Sequence, residues 1–289
     1  MTTPESSDKP YPKIVVTPPG PRAREVIRSD ALVLSPSTCH FYPLVLETAD
    51  GCIVRDMDGN EYIDLCSASG VMNIGYNHPQ VLEAIKAQLG KTTHYGYGTA
   101  YYESIVQLSK ALSDITPGEW EKRVCYGNSG SEAIEAAMKV AAWHTRNQAF
   151  LAFVGSSHGR TIGAMSLSCA SPVHRRHFPT LARVLHIPFP YCYRCRLMQT
   201  HPECEYRCVD MIENYLKTVV SPEEVAALVI EPIQGEGCIV PPEGFFERLV
   251  KITKEHDFLL IDDEVLTGLG RTGRWFAIEN WDIAPDILC

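Results

Sequence analysis

The sequence predicts an α/β fold in which a mixed, mostly parallel sheet is flanked by helices. Three observations predict it. Apolar runs at 123–126, 149–154, 183–187, 226–230 and 258–261 lack the polar alternation of a half-exposed strand. Helical stretches at 78–89, 101–115, 131–144, 208–219 and 242–256 alternate with these runs. The residues that follow the runs are Gly, Ser, Asp and Glu. Continuous apolar runs between helices are the pattern of parallel strands covered on both faces. Ligands in such sheets bind beyond the carboxyl ends of the strands, so the polar residues there carry the chemistry.

Along the chain, residues 1–20 are Ser-, Pro- and Lys-containing and read as a flexible arm. Residues 43–64 alternate apolar and polar positions around Asp50-Gly51 and Asp58-Gly59-Asn60, which predicts an antiparallel meander. The α/β pattern begins near residue 77. Of the 289 residues, 45% are apolar and 21% charged, ordinary for a globular chain. The net charge of -9 argues against a nucleic-acid partner, which calls for a basic face. The basic run His174-Arg175-Arg176-His177 reads as a solvated loop. No apolar run approaches the roughly 20 residues of a membrane helix. The N-terminus also lacks the apolar core of a signal peptide. The expectation is a cytoplasmic protein with no membrane contact.

The run at 123–126 leads into Gly127-Asn128-Ser129-Gly130-Ser131-Glu132-Ala133. Ser129 and Glu132 have capping-box spacing, so a helix should start here. A Gly/Ser turn at a helix N-terminus offers N–H groups and hydroxyls to a phosphate; an ordinary capped helix is the other reading. The run at 226–230 ends at Glu231-Pro232-Ile233-Gln234-Gly235-Glu236-Gly237, and the run at 258–261 ends at Asp262-Asp263-Glu264-Val265. Buried carboxylates need partners, and a cationic heterocycle would serve. Acids that merely open solvent-exposed loops are the alternative.

The order of segments narrows this. Gly70-Val71-Met72-Asn73-Ile74-Gly75-Tyr76-Asn77-His78-Pro79 comes first, followed by the Asn128–Ala133 turn and Ser157-His158-Gly159-Arg160-Thr161. The Glu231–Gly237 segment, Asp263-Glu264-Val265 and Gly270-Arg271-Thr272-Gly273 then complete the series. The series resembles the class III, ornithine/4-aminobutyrate-type, pyridoxal-phosphate aminotransferases of fold type I, over nearly all the chain after the arm. The resemblance implies a small-domain segment at 21–76 and a cofactor-binding large domain at 77–289. It implies pyridoxal 5'-phosphate as cofactor, held at its phosphate by Ser129, Gly130 and Ser131. Ser157 and His158 would lie beside the ring. Asp263 would pair with the pyridine nitrogen and keep the ring an electron sink, and Glu231 would support Asp263. Glu236 would lie on the substrate side. It further implies a homodimer moving an amino group from an amino acid or ω-amine donor to a 2-oxo acid. Amino-acid racemisation on the same scaffold is the alternative.

Three departures from the family pattern stand out. Ser157 occupies the position of an aromatic residue that stacks on the ring, so an interaction of roughly 1 kcal/mol is missing. Leu266 replaces a Gln near the ring hydroxyl. The Schiff-base lysine follows a Pro-Asp-Ile segment in the family, and here Pro285-Asp286-Ile287 is followed only by Leu288 and Cys289. That lysine is expected beyond Cys289; a fragment of a longer gene product is the first reading, with a premature stop in a decaying gene and a stable, catalytically silent protein as the alternatives. On its own, the 289-residue chain is not expected to transaminate.

Of the eleven cysteines, Cys192, Cys195, Cys204 and Cys208 form a C-x2-C-x8-C-x3-C pattern inside a Cys-rich insertion at 190–208. A structural zinc site, a disulfide and free thiols are the three readings. The zinc reading carries with it a non-enzymatic, metal-stabilised module as a third function class. Tyr95 and Tyr97 would line a substrate channel, whereas Tyr101 and Tyr102 read rather as packing residues.

Overall fold

The computed structural model describes residues 11–289 except Cys39, Tyr95, Tyr97 and Leu181. The chain forms two compact units, Met1–Tyr101 and Tyr102–Cys289. The division therefore falls about 25 residues later than the change of sequence pattern near residue 77.

The first unit holds α1 (Pro21–Val33), the strands β1 (Leu46–Asp50), β2 (Ile53–Asp56) and β3 (Glu61–Ile63), the short α2 (Ser67–Gly70), and α3 (Pro79–Leu89). The strands form an antiparallel meander in the order β1-β2-β3. Its β2–β3 turn is built around Asp56, which is only 1% exposed. The carboxylate accepts bonds from Asp58 N, Asn60 N, Asn60 Nδ2 and the Tyr62 hydroxyl at 2.7–3.0 Å. The Asp58 carboxylate caps α1 through Arg22 N and Ala23 N, both at 2.9 Å, placing negative charge at a helix N-terminus. Residues 11–20 are tied to this meander. Lys13 pairs with Glu61, and the N–H groups of Val15 and Val16 donate to Asn60 Oδ1. The loose-arm reading thus fails for this stretch, because Asn60 and Glu61 hold its backbone.

The second unit contains α4 (Glu103–Ile115), α5 (Gly130–Thr145), β4 (Ala149–Val154), α6 (Ile162–Leu167), β5 (Arg183–Pro188), α7 (Arg207–Thr218), β6 (Val225–Ile230), α8 (Phe245–Glu255), β7 (Leu259–Asp262) and β8 (Ile287–Leu288). The sheet order is β5-β4-β6-β7-β8, and every pairing is parallel. All six residues of β6 are buried, and so are five of the six in β4, because helices cover both faces. One face packs Leu151, Phe153, Leu228, Ile230 and Leu260 with α7 and α8 residues, including Ile212, Phe245, Phe246 and Leu249. The other packs Phe150, Ala152, Val229 and Ile261 with Ile134, Ala137 and Ala141 of α5. In α8 the buried residues Phe245, Phe246, Leu249, Ile252 and Thr253 recur at helical spacing. Burying each of its large apolar side chains contributes about 1.5–3 kcal/mol.

The apolar run at 123–126 is not a strand. It finds no ladder partner, and the Tyr126 hydroxyl instead meets Ser109 Oγ of α4 at 2.9 Å. Conversely, β8 pairs with β7 through Ile261–Ile287 and Asp262–Leu288 although it is only two residues long. Tyr101 is fully exposed and so packs against nothing, whereas Tyr102 is half-buried. The substrate-channel reading of Tyr95 and Tyr97 lies outside the described residues.

Candidate functional site

The parallel register brings three strand ends to one edge. Ile230 pairs with Asp262, so Glu231 and Asp263 leave neighbouring strands side by side, and the Asp263 N–H donates to the Ile230 carbonyl at 2.8 Å. The segment after β4 carries Ser157 and His158 to the same edge. His158 Nδ1 lies 2.7 Å from Asp263 Oδ2, with both side chains buried. The His158 N–H donates to Ser168 Oγ at 2.8 Å, which fixes the backbone beneath the ring.

The electrostatics follow from this geometry. Burial opposes a charged His158 ring. The hydrogen bond and charge of Asp263, aided by the charge of Glu231, outweigh it and hold the titration of His158 above its ordinary 6.5. Glu231 accepts from Ser157 N at 3.0 Å and Gly235 N at 3.1 Å. Burial and the charge of Asp263 nevertheless raise its pKa against the pull of His158 and those two N–H groups. Glu231 therefore contacts the segment after β4 and its own loop after β6, and reaches Asp263 on β7 through its field.

The helix α5 begins at the Gly/Ser turn. Ser129 is its N-cap and accepts from Glu132 N at 3.2 Å. The Glu132 carboxylate turns back to Asn128 N, one residue before the N–H of a standard capping box. The Ala133 N–H is taken by the Ser129 carbonyl, so Gly130 and Ser131 present the foremost N–H groups of the helix. Space is tight on both sides of them. A Cβ at Gly130 would meet Val265 Cγ1 at 2.7 Å, and one at Gly159 would meet Ser131 Oγ at 2.3 Å. Gly159 also has φ +133°, where a side chain is strained. Ser131 Oγ accepts from Arg160 N at 3.1 Å and is left with its own proton to donate.

These residues fit a phosphorylated pyridine. Val265 links the Gly/Ser turn to the acid–histidine pair: its side chain lies against Gly130, and its N–H donates to Asp263 Oδ1 at 3.1 Å. The Nε2 of His158 is buried without a hydrogen-bond partner. Leu266 packs against Gly235, where a Cβ would approach its Cδ2 to 2.3 Å, so it presents hydrocarbon to the site where a polar group is expected. Glu236 is exposed on its loop.

No sequence motif marks Glu135. Its Oε1 on α5 accepts from Thr161 Oγ1, Gly163 N and Ala164 N at 2.7–3.1 Å, pinning the segment after His158 to the helix that carries the phosphate turn. Its partners lie 26–29 residues away, beyond the reach of any local pattern. Arg160 was also missed; its exposed guanidinium stands beside His174 at the rim.

The zinc reading of the cysteines is corrected, and the free-thiol reading is the one the structure matches. Cys192, Cys195, Cys204 and Cys208 are free thiols, and among the described residues no group of three or more His, Cys, Asp or Glu side chains is arranged to hold a metal ion. Cys192 sits in a short turn, whereas Cys208 lies in the first turn of α7. Burial pushes the Cys208 thiol up to about 11 and raises that of Cys192, so neither is a ready thiolate ligand.

A parallel α/β sheet with a phosphate turn and a buried acid–histidine pair at its carboxyl edge defines a nucleotide- or coenzyme-binding class of enzyme folds. The chain belongs to the class III aminotransferases, whose pattern matches residues 34–289. It is 40% identical over 286 residues to an alanine/serine racemase of Pyrococcus horikoshii, covering 96% of this chain and 60% of that protein. It is 36% identical to a 4-aminobutyrate aminotransferase of Mycobacterium leprae, over 100% of this chain and 65% of the other. Among solved structures, an (S)-enantioselective omega-transaminase from Thermomicrobium roseum superposes with a TM-score of 0.82 at 29% identity, covering 92% of this chain and 62% of that one. The chain spans about 60% of the length of the curated relatives it matches.

Proposed function

We propose that the protein carrying this chain is a pyridoxal-phosphate aminotransferase that moves an amino group from an amino acid or ω-amine to a 2-oxo acid. The observation that carries the reading is the Asp263–His158 pair, at 2.7 Å and buried, at the sheet edge that also bears the phosphate turn. The cofactor, when bound, supplies the electron sink for breaking a bond at the substrate Cα. Ser129, Gly130 and Ser131 bind its phosphate through helix N–H groups and hydroxyls. Asp263 holds the proton on the pyridine nitrogen, and His158 fixes the Asp263 carboxylate in place. Glu231 braces the loops at Ser157 and Gly235, which frame the ring, and Glu236 stands on the substrate side.

Incubating the protein with pyridoxal 5'-phosphate, 2-oxoglutarate and a panel of α- and ω-amino acids tests this. Glutamate formation that Asp263→Ala abolishes is expected. Absence of glutamate with every donor, from protein shown to bind the cofactor, removes the reading.

Racemisation is the second reading, and the similarity to the Pyrococcus horikoshii racemase and to a leucine/methionine racemase of Thermococcus litoralis, 37% identical, favours it. The two differ in where the proton returns. Loss of optical rotation and Cα–deuterium exchange without any 2-oxo acid would select the racemase.

A homodimer is part of the proposal. It is supported by the large apolar side chains exposed on the first unit, including Leu32, Phe41 and Leu65, which a partner subunit would cover. The described residues contain no helix long and apolar enough to cross a membrane, which fits the proposed cytoplasmic setting.

A further inference from the structure

Three acids stand in a row at the end of β7, and the fold treats each differently. Asp263 pairs with His158. Glu264 accepts from Ile278 N at 2.8 Å and from the Thr267 hydroxyl. Asp262 is 0% exposed, and among the described residues no N–H or hydroxyl donor reaches either of its oxygens; the polar group beside it is the Glu264 carboxyl. It lies on the face of β7 shared with Leu260, beside Ile230 and Leu288 of the neighbouring strands. The groups that face it electrostatically are the carboxyls of Glu264 and Asp263, while the half-buried thiol of Cys289, the residue after β8, feels the field of Asp262. None of them is a cation.

A carboxylate in such a place would be an unpaired buried charge beside a second carboxylate. Of the two, Glu264 has the donors that favour a charged form, and Asp262 has none. We propose that Asp262 is a positioning residue carried in the folded protein as a neutral carboxylic acid, with its proton turned toward Glu264. Its neutrality lets the Glu264 carboxylate keep its hold on Thr267 and Ile278, and thereby fixes the 265–276 loop that follows Asp263. Burial first, and then the charges of Glu264 and Asp263, raise its pKa well above the ordinary 3.8. The inference goes beyond the proposed activity and is independent of it, because its readout is folding.

The sign is set by linkage. The unfolded chain releases the Asp262 proton near 3.8, and the folded chain retains it. The contribution of this group is therefore fully present below the unfolded value and lost as pH rises through the folded one. Equilibrium unfolding of wild type, Asp262→Asn and Asp262→Ala between about pH 5 and about pH 8 is the experiment. As pH rises above the unfolded 3.8, the unfolding constant of wild type should climb relative to either variant, with a limiting slope of about tenfold per pH unit for one retained proton. Asp262→Ala should show this change of slope even if it is less stable at every pH, so it decides the matter should the amide variant fold poorly. Tryptic cleavage after Arg271 and Arg274 should accelerate with pH in wild type and stay flat in Asp262→Asn. Unfolding profiles that run parallel across pH, or loop cleavage with the same pH dependence in both proteins, would overturn the proposal.

Discussion

The chain buries carboxylates in two regions, and their titrations move in opposite directions. In the meander, Asp56 is 1% exposed and receives four hydrogen bonds. Burial alone would raise its pKa, but the bonds from Asn60, Tyr62 and Asp58 more than offset this and leave it lowered. At the sheet edge, Glu231 receives two N–H groups and Asp262 none, and burial prevails at both. Burial by itself therefore does not mark a functional acid. What separates the regions is whether the fold supplies enough donors for the charge it buries. Under-supplied acids gather where a ligand is expected, which is the physical reason for reading that edge as a site.

The largest test breaks the pair on the sheet edge. Asp263→Ala leaves the His158 ring buried without its counter-ion and should lower the unfolding free energy by about 3–5 kcal/mol in urea. The folded His158 titrates above its ordinary 6.5, so its stabilisation is complete below that value and is lost as pH rises through the raised one. The stability deficit of Asp263→Ala should accordingly shrink toward alkaline pH. A deficit that is constant from acid to alkaline pH would show that His158 is not charged by Asp263.

The meander gives the contrasting result. Asp56→Ala strands two backbone N–H groups and the Tyr62 hydroxyl and should cost about 3 kcal/mol. Because the folded pKa of Asp56 is lowered, its contribution is present above the unfolded 3.8 and is lost as pH falls through the folded value. The wild-type advantage should thus fade in acid, opposite to the trend for Asp263. If the two variants respond to pH in the same sense, the distinction between well-supplied and under-supplied acids is wrong.

Much of this was legible beforehand, for local reasons. The runs at 149–154, 226–230 and 258–261 became central parallel strands because each is apolar without alternation and finds a ladder partner on both sides. Asp263 and Glu231 were legible because each sits one or two residues past such a run, and His158 was legible only through the family resemblance of its Ser-His-Gly-Arg-Thr segment. The run at 123–126 failed because four residues define a strand only if a ladder partner is offered, which is a non-local fact. The zinc alternative for the four cysteines failed for a related reason: spacing allows a metal site, but the turn at Cys192 and the helix at Cys208 decide where each thiol is placed. Glu135 was invisible because its value lies in three donors brought in by the next crossover.

The cap of α5 is a smaller test. Ser129→Ala removes the oxygen that accepts from Glu132 N and should cost about 1 kcal/mol by thermal or urea unfolding. Ser129→Asp should restore the cap while placing a negative charge beside the phosphate turn. Recovered stability together with weakened cofactor binding is the expected outcome, and it separates the role of Ser129 in folding from its proposed role in the site. Equal cofactor affinity in Ser129→Asp and wild type would place the phosphate elsewhere.

The finest distinction is between a site built for a stacked ring and one that does without stacking. Ser157 is half-buried, and its N–H is fixed by Glu231 at 3.0 Å, so the position of its Cβ is set by the fold. An aromatic ring placed there by Ser157→Phe would lie against the proposed cofactor face without moving the backbone. Stacking contributes about 1 kcal/mol, so the dissociation constant for pyridoxal 5'-phosphate should fall about fivefold. The phosphate turn and the Asp263–His158 pair are untouched by the change, so the gain should appear with pyridoxal as well as with its phosphate. Quenching of intrinsic fluorescence on titration reads both ligands. No gain with either one means that the open face over Ser157 is occupied by other side chains, and that the departure from the aromatic pattern has been compensated within this protein.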